Sequence, residues 1–259
     1  MSVVDALAVL VFGRLAPRRA YPVVAGPLRG KRFILGAAAG PAGGVSILAG
    51  RCEPEQSAAV ARVLAPGDVF FDVGANVGYY TLLASDRVGP RGRVVAFEPD
   101  LRNLSFLHRH LALNRARNVT VLPFACAAES GYRSFEMGDT IATGHLSTRD
   151  TASGALPPGA TPVHLVCIDA MVRLLGLRPT VMKIDVEGAE LEVLRGANET
   201  LAACRPRIFL SIHSDILRAD CLALLRSRGY RAVPLSGTVE TATEYLLTPA
   251  PDTAAKESA

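Results

Sequence analysis

The stretch Gly67-Asp68-Val69-Phe70-Phe71-Asp72-Val73-Gly74-Ala75-Asn76-Val77-Gly78 decides the reading of this chain. Residues 69–73 are β-branched or aromatic apart from Asp72, the composition of a buried strand. A Gly-rich turn follows, and then a helix. Glycine in such a turn permits backbone conformations that other residues resist and lets a ligand approach the main chain closely. In doubly wound folds ligands sit at the carboxyl ends of strands, which is where this turn falls. A dinucleotide fingerprint would read Gly-x-Gly-x-x-Gly, whereas this turn has Gly74-x-x-x-Gly78 behind the acid Asp72. An acid there suits a ligand with ammonium or hydroxyl groups better than a pyrophosphate, which argues against NAD and an oxidoreductase. Taken alone, the plainer reading is a turn whose glycines serve only tight strand–helix packing.

The pattern repeats outward from that turn. Residues 93–97 form a second apolar run, and Glu98 follows it about 20 residues after Gly78, the offset at which an acid accepts hydrogen bonds from ribose hydroxyls. Turn and acid together point to an adenosine-containing cofactor without a pyrophosphate, and S-adenosylmethionine fits. Further strand-like runs lie at 119–124, 181–184 and 207–212. Between them Leu101, Leu104, Leu107 and Leu111 fall on one side of a helix. So do Leu191, Leu194 and Leu201, and again Leu217, Cys221, Leu224 and Leu225. Strands separated by amphipathic helices imply βαβ units and a parallel sheet. Residues 230–234 and 243–248 add strands at the C-terminal end, the last of them antiparallel.

The rest of the chain is organised around this core. Residues 1–54 are read as an N-terminal helix and a small β cap, with short β-like runs at 31–35 and 45–49. Residues 55–248 form the main domain, and 249–259, without apolar periodicity, are a frayed tail. The apolar stretch 3–12 is about half of what a membrane span requires, and the arginines follow it rather than precede it, against a signal peptide. It is read as a short helix packed on the main domain in preference to an interfacial membrane helix, and it could also serve a homodimer contact. Residues 138–161 are rich in Gly, Thr, Ser and Pro and are read as a binding loop or lid, or else a disordered segment. Thr140, Thr143, His145, Ser147 and Thr148 there are candidate hydrogen-bonding groups for an acceptor.

Composition narrows the classes. The chain has 259 residues, a net charge of +4, 49% hydrophobic and 20% charged residues, so it can bury a large core and is not disordered in bulk. That mild charge, with no basic run and no Trp, gives no ground for a nucleic-acid partner. Five scattered cysteines with no Cys-x-x-Cys exclude a disulfide scaffold and a zinc ribbon. The expectation is a reduced, cytoplasmic protein.

The second chemical segment is Met182-Lys183-Ile184-Asp185-Val186-Glu187-Gly188-Ala189-Glu190. Strand alternation puts Lys183 and Asp185 on one face, with Asp185 at the strand's carboxyl end. Glu187 sits in the turn and Glu190 in the first turn of the next helix. Acids there suit the helix dipole, yet capping does not require Lys183, Asp185, Glu187 and Glu190 together.

With both segments in view, the chain resembles the FkbM-type S-adenosylmethionine-dependent methyltransferases. The resemblance rests on Asp72-Val-Gly-Ala-Asn-Val-Gly78, Phe97-Glu98-Pro99 and Lys183-Ile-Asp-Val-Glu-Gly-Ala-Glu190, in the family's order and spacing, over roughly residues 65–215. It implies an α/β fold, a Rossmann-like class I methyltransferase sheet of about seven strands with helices on both faces. It also implies O-methylation of a small-molecule hydroxylated substrate such as a sugar, a polyketide or another secondary metabolite. Carried over residue by residue, Asp72, Gly74, Asn76 and Gly78 hold the methionine end of the cofactor and Glu98 its ribose. The adenine lies near 124–127, at Ala125 and Cys126. Two departures stand out. The segment 125–129 lacks polar residues before Glu129, so adenine contacts are expected from backbone groups. The family commonly shows Glu-x-His where this chain has Ser211-Ile212-His213, and Ser211 cannot act as an acid.

Methyl transfer to a hydroxyl needs alignment and a proton acceptor, the latter adding typically about 10²–10⁴-fold. The candidate bases are His213 and Asp185; His213, titrating near pH ~6.5 when unperturbed, is the better one at neutral pH, with Asp185 orienting it or the substrate and Lys183 a further catalytic candidate. Asp185, Glu187, Glu190 and His213 offer hard ligands for Mg²⁺, but their spacing is not diagnostic and no metal site is assigned. His108 and His110 lie on different helix faces and carry no signal. A non-catalytic S-adenosylmethionine-binding protein of the same fold is the alternative, favoured by Ser211 and the apolar adenine segment.

Overall fold

The computed structural model of the chain describes residues 19–37, 40–136, 145–146, 161–212 and 214–251. The chain starts with β1 (Ala20–Pro22), β2 (Arg32–Ile34), a 3₁₀ turn at Leu35–Ala37, α1 (Gly40–Leu48) and α2 (Pro54–Val63). The alternating core follows as β3 (Val69–Val73), α3 (Tyr79–Val88), β4 (Arg93–Phe97), α4 (Leu101–Leu113) and β5 (Val119–Leu122). A small excursion comes next, with β6 (Ala125–Cys126), β7 (Gly131–Glu136), β8 (His145–Leu146) and β9 (Thr161–Val166). The chain then returns through α5 (Ile168–Leu175), β10 (Val181–Ile184), α6 (Glu190–Arg195), α7 (Asn198–Ala203) and β11 (Arg207–Ser211). It finishes with α8 (Asp215–Ser227), β12 (Tyr230–Pro234) and β13 (Glu244–Pro249).

Seven strands form the central sheet in the order β12-β13-β11-β10-β3-β4-β5. Neighbours run parallel except β13, which is antiparallel to both β11 and β12. The strand order reverses between β3 and β10, so their carboxyl ends open the crevice that doubly wound sheets offer a ligand. This is the Rossmann-like class I methyltransferase sheet, with the last strand reversed as expected. Register fixes the side chains: Lys183 pairs with Asp72 on β3 and with Phe209 on β11, so all three share a face.

Each face of the sheet has its own core. Phe70, Val94, Val181 and Phe209 lie under Val60 of α2, Leu82 of α3 and Leu107 of α4. Phe71, Val95, Met182 and Leu210 lie under Ile168 of α5, Leu194 of α6 and Leu225 of α8. The strands are thus apolar on both sides, as a sheet covered by helices on both faces requires.

The N-terminal cap shares the first of these cores through Leu28, Phe33, Ile34 and Ile47. One side chain of α4 and that of Asn114, which caps its C-terminal end, hold it. The Nδ1–H of His110 donates to the Val77 carbonyl at 2.7 Å, and its Nε2 accepts from the Ile34 N–H at 3.0 Å. Those partners select the neutral Nδ1–H tautomer. The imidazole also stacks on Phe33, with centroids 3.8 Å apart, and burial pushes its pKa down to about 4 against the pull of the Val77 bond. Asn114 closes the β2 edge, accepting from Arg32 N and donating to Arg32 O, both at 2.8 Å. The histidine that carried no signal in the sequence therefore joins the cap to the turn after β3.

Two local features differ from the sequence reading. Residues 45–48, read as part of a β-like run, end helix α1. A short apolar run cannot be assigned by periodicity alone, and Gly44 brings the helix against the Leu35 carbonyl, where a Cβ would collide. The excursion after β5 is a separate sheet of order β6-β9-β7-β8. Of the loop at 138–161, only β8 and the first residue of β9 are among the described residues.

Candidate functional site

The site lies where the turns after β3 and β10 meet. Gly74 has φ +84°, and a Cβ on it would collide with the Asp185 carbonyl oxygen. The glycine is therefore required by contact between the two turns as well as by backbone conformation. Gly78 (φ +92°) admits the Leu107 side chain in the same way. Asn76 between them is also left-handed, at φ +51°, and its Oδ1 accepts from Val77 N at 2.7 Å.

Asp72 is fully buried at the end of β3. Its Oδ2 accepts from the Thr81 hydroxyl at 2.5 Å, while Oδ1 has no partner. Burial raises its pKa, opposed by the Lys183 ammonium and by Thr81. An unpaired carboxylate oxygen in a buried position is expensive and is the mark of a group waiting for a ligand.

Glu98, also buried, is met by the main chain. Its Oε2 accepts from Asn76 N at 2.7 Å, and Oε1 accepts from Asp100 N at 2.9 Å and from Asn103 Nδ2 at 3.3 Å. These three bonds leave acceptor capacity on a carboxylate. Burial pushes its pKa up to about 7, and the three donors pull the other way.

On the β10 side, Lys183 is buried and its ammonium donates to Asp185 Oδ2 at 2.8 Å. It also sits over the Tyr80 ring, 4.6 Å from the centroid. The attraction of Asp185, Asp72 and Glu53 outweighs burial, so its pKa rises. The Tyr80 hydroxyl donates in turn to Glu53 Oε2 at 2.6 Å. Glu187 is left-handed, φ +53°. Glu190, fully buried, accepts from Gly188 N at 3.0 Å through Oε1, and its Oε2 has no partner.

Asp72, Gly74, Asn76, Gly78, Glu98, Lys183 and Asp185 therefore meet at one end of the sheet. Ala125 and Cys126 form β6 on its far flank. Both side chains are buried. His213, Thr140, Thr143, Ser147 and Thr148 lie outside the described residues. Among the described residues no group of three or more His, Cys, Asp or Glu is placed to hold a metal ion, and no helix is long and apolar enough to cross a membrane.

Sequence reasoning missed one part of the site. Helix α2 lies against the end of β11, where Gln56 Nε2 donates to Ser211 Oγ at 3.1 Å. Ser211 pairs in register with Glu244 of β13, and burial followed by the charge of Glu53 pushes the Glu244 pKa up to about 6. Ser211 had drawn notice only as a departure, and no local signal marks Glu53, Gln56 or Glu244.

Comparison with known proteins follows this geometry. Residues 72–232 match the family model of the methyltransferase FkbM domain. The chain is 31% identical over 163 residues to the hexuronic acid methyltransferase AglP of Haloferax volcanii, covering 61% of each protein. It is 32% identical over 210 residues to the AMB antimetabolite synthetase AmbE of Pseudomonas aeruginosa, covering 65% of this chain and 10% of that one. The chain thus spans less than two thirds of either relative. The crystal structure of a methyltransferase FkbM from Methylobacillus flagellatus shares the fold at a TM-score of 0.50 and 21% identity, covering 70% of this chain and 43% of that one.

Proposed function

This chain belongs to the methyltransferase FkbM family, and we propose that it is an S-adenosylmethionine-dependent O-methyltransferase acting on a hydroxyl of a small molecule. The observation that carries the reading is the unpartnered Oδ1 of Asp72, buried at the switch point of the sheet beside the Gly74–Gly78 turn. A cofactor with an ammonium, two ribose hydroxyls and no pyrophosphate fits these residues. Asp72 and the turn through Gly74, Asn76 and Gly78 hold its methionine end, Glu98 accepts from its ribose, and the main chain at Ala125 and Cys126 borders its adenine. Bound there, the cofactor supplies an electrophilic methyl group on a sulfonium.

The chain's own residues do the rest. Asp185, held by Lys183, orients the acceptor at the end of β10, and His213, two residues beyond β11, takes the hydroxyl proton on its imidazole. Alignment of this kind contributes about 7–11 kcal/mol in favourable cases.

Calorimetric titration with S-adenosylmethionine and S-adenosylhomocysteine, beside Asp72→Asn and Glu98→Gln, tests the cofactor assignment. Micromolar binding by the wild type that both variants weaken at least about tenfold is expected. A folded wild type that binds neither ligand overturns it. The His213 assignment predicts that His213→Ala lowers turnover about 100-fold or more with cofactor affinity unchanged, and unaltered turnover removes it.

A further inference from the structure

The polar groups at the α2–β11–β13 corner are not used by the cofactor assignment above. Register places the side chains of Ser211 and Glu244 next to each other on one face of the sheet. It is the face of Phe209 and Lys183, covered by α2 and α3. From α2, the amide of Gln56 reaches down to Ser211 Oγ at 3.1 Å. Gln56 is 0% exposed, and its second amide atom, Oε1, has no partner. Exchanging the amide's oxygen and nitrogen would leave the nitrogen orphaned instead, so one polar atom stays unpaired either way. A buried amide left half-satisfied beside the carboxylates of this corner is completed by a ligand's hydroxyl.

The rim above that floor is acidic and held in place. Glu53 adopts a left-handed backbone at the start of α2, φ +40°, a conformation that non-glycine residues rarely take. Its carboxylate is fixed on the Tyr80 hydroxyl, and Tyr80 carries Lys183 on its ring. The rim is therefore continuous with the Lys183–Asp185 pair at the cofactor's edge. At Glu244 burial raises the pKa most and the charge of Glu53 comes next; Lys183 opposes them, while Asp185 and Glu55 add smaller pushes the same way. Arg51, at the start of the same connection, is already engaged.

We propose that this corner is the acceptor subsite, with Gln56 and Ser211 as its floor and Glu53 and Glu244 as its rim, and that it takes a neutral or ammonium-bearing polyol and rejects a carboxylated one. The proposal deepens the methyltransferase reading and rests on it. Carboxylates accept hydrogen bonds from vicinal hydroxyls or an ammonium and repel an acid. Specificity of this kind comes from the repulsive element as much as from the attractive one.

The test is saturation-transfer NMR on the full chain saturated with S-adenosylhomocysteine, using the methyl glucoside and two relatives that each differ from it at one position, the glucosaminide at C2 and the glucuronide at C6. The glucoside and glucosaminide are expected to bind at least about tenfold more tightly than the glucuronide. Glu244→Gln should narrow that ratio at least about threefold, and Gln56→Leu should weaken the glucoside about tenfold. S-adenosylhomocysteine affinity, measured by calorimetry on cofactor-free preparations of the same proteins, should not move. A glucuronide that binds as well as the glucoside, no binding of the glucoside, or a ratio indifferent to Glu244→Gln overturns the subsite. Glu244→Gln is isosteric and guards the test if Gln56→Leu fails to fold. Absence of S-adenosylhomocysteine binding by the wild type would instead overturn the methyltransferase reading beneath it.

Discussion

The two halves of the sheet's carboxyl edge satisfy their polar groups in opposite ways. Around β3 and β4 the main chain does most of it: Glu98 takes N–H bonds from Asn76 and Asp100, and the turn glycines let two backbones touch. Around β10, β11 and β13 side chains do it, through Lys183 with Asp185, Tyr80 with Glu53, and Gln56 with Ser211. A main-chain cradle depends on where a turn sits in the fold and changes little when side chains change. A side-chain cluster drawn from distant elements can be rebuilt one residue at a time. The first half thus suits a ligand common to a family, and the second a ligand that differs between members.

The largest break in that comparison should come at the ammonium joining the halves. Lys183 lies between Asp72 and Asp185, and Lys183→Met strands a buried carboxylate. The expected loss is about 3–5 kcal/mol of unfolding free energy, read from urea titration. Arg173 and Glu199, paired on the surface with both side chains well exposed, set the contrast: Arg173→Met should change stability by about 0–1 kcal/mol. Similar losses from the two variants would mean that the buried cation is not the joint.

His110 probes the cofactor half alone, because its ring joins Val77 of the turn to Ile34 of the cap. Its folded pKa, about 4, lies below the usual ~6.5 of an unfolded histidine. The unfolded chain therefore binds the extra proton first as pH falls. The stability held by neutral His110 is fully present above pH ~6.5 and is lost as the pH drops toward the folded value, about 3 kcal/mol in all. Urea midpoints between pH 7 and pH 4.5 should fall more steeply in the wild type than in His110→Asn, and parallel slopes would count against this.

Glu98 gives a smaller effect with the same direction of pH. Its folded pKa, raised to about 7, leaves it half-protonated near neutrality, whereas ribose hydroxyls donate to the ionised form. Affinity for S-adenosylhomocysteine should therefore rise about tenfold from pH 6 to pH 8. Calorimetry at the two pH values reads it, and Glu98→Gln should flatten the dependence.

What was legible in the sequence follows the same division. Asp72, Gly74, Asn76 and Gly78 stand in one contiguous run, Glu98 follows at a fixed offset, and alternation places Lys183 beside Asp185. Each of these is a local relation, and the structure brings the residues together. The reversed β13 was legible as well, from its position at the end of the alternating pattern. The acceptor corner was not, because Glu53, Gln56, Ser211 and Glu244 come from α2, β11 and β13, and only sheet register and helix packing make them neighbours. His110 was passed over for the same reason, since its partners Val77 and Ile34 lie in other elements. The short strands β6 and β8 escaped because two residues have no measurable period.

The smallest effect bears most directly on why the acceptor corner looks as it does. If Gln56 and Ser211 were there for stability, an apolar replacement would weaken the fold. If they are kept for a ligand, the free chain carries an orphaned buried amide atom, and removing both polar groups together relieves it. The double variant Gln56→Met with Ser211→Ala leaves neither partner unpaired, so the expected change is a gain of up to about 1 kcal/mol. Each single change strands the other group and should be neutral or destabilising, which makes the pair non-additive. Thermal melts of the four proteins measure this coupling without any acceptor in hand. A double variant less stable than either single one would assign the amide–hydroxyl pair to the core, and the corner would then resemble the cofactor half, built to hold the fold as much as to meet a ligand.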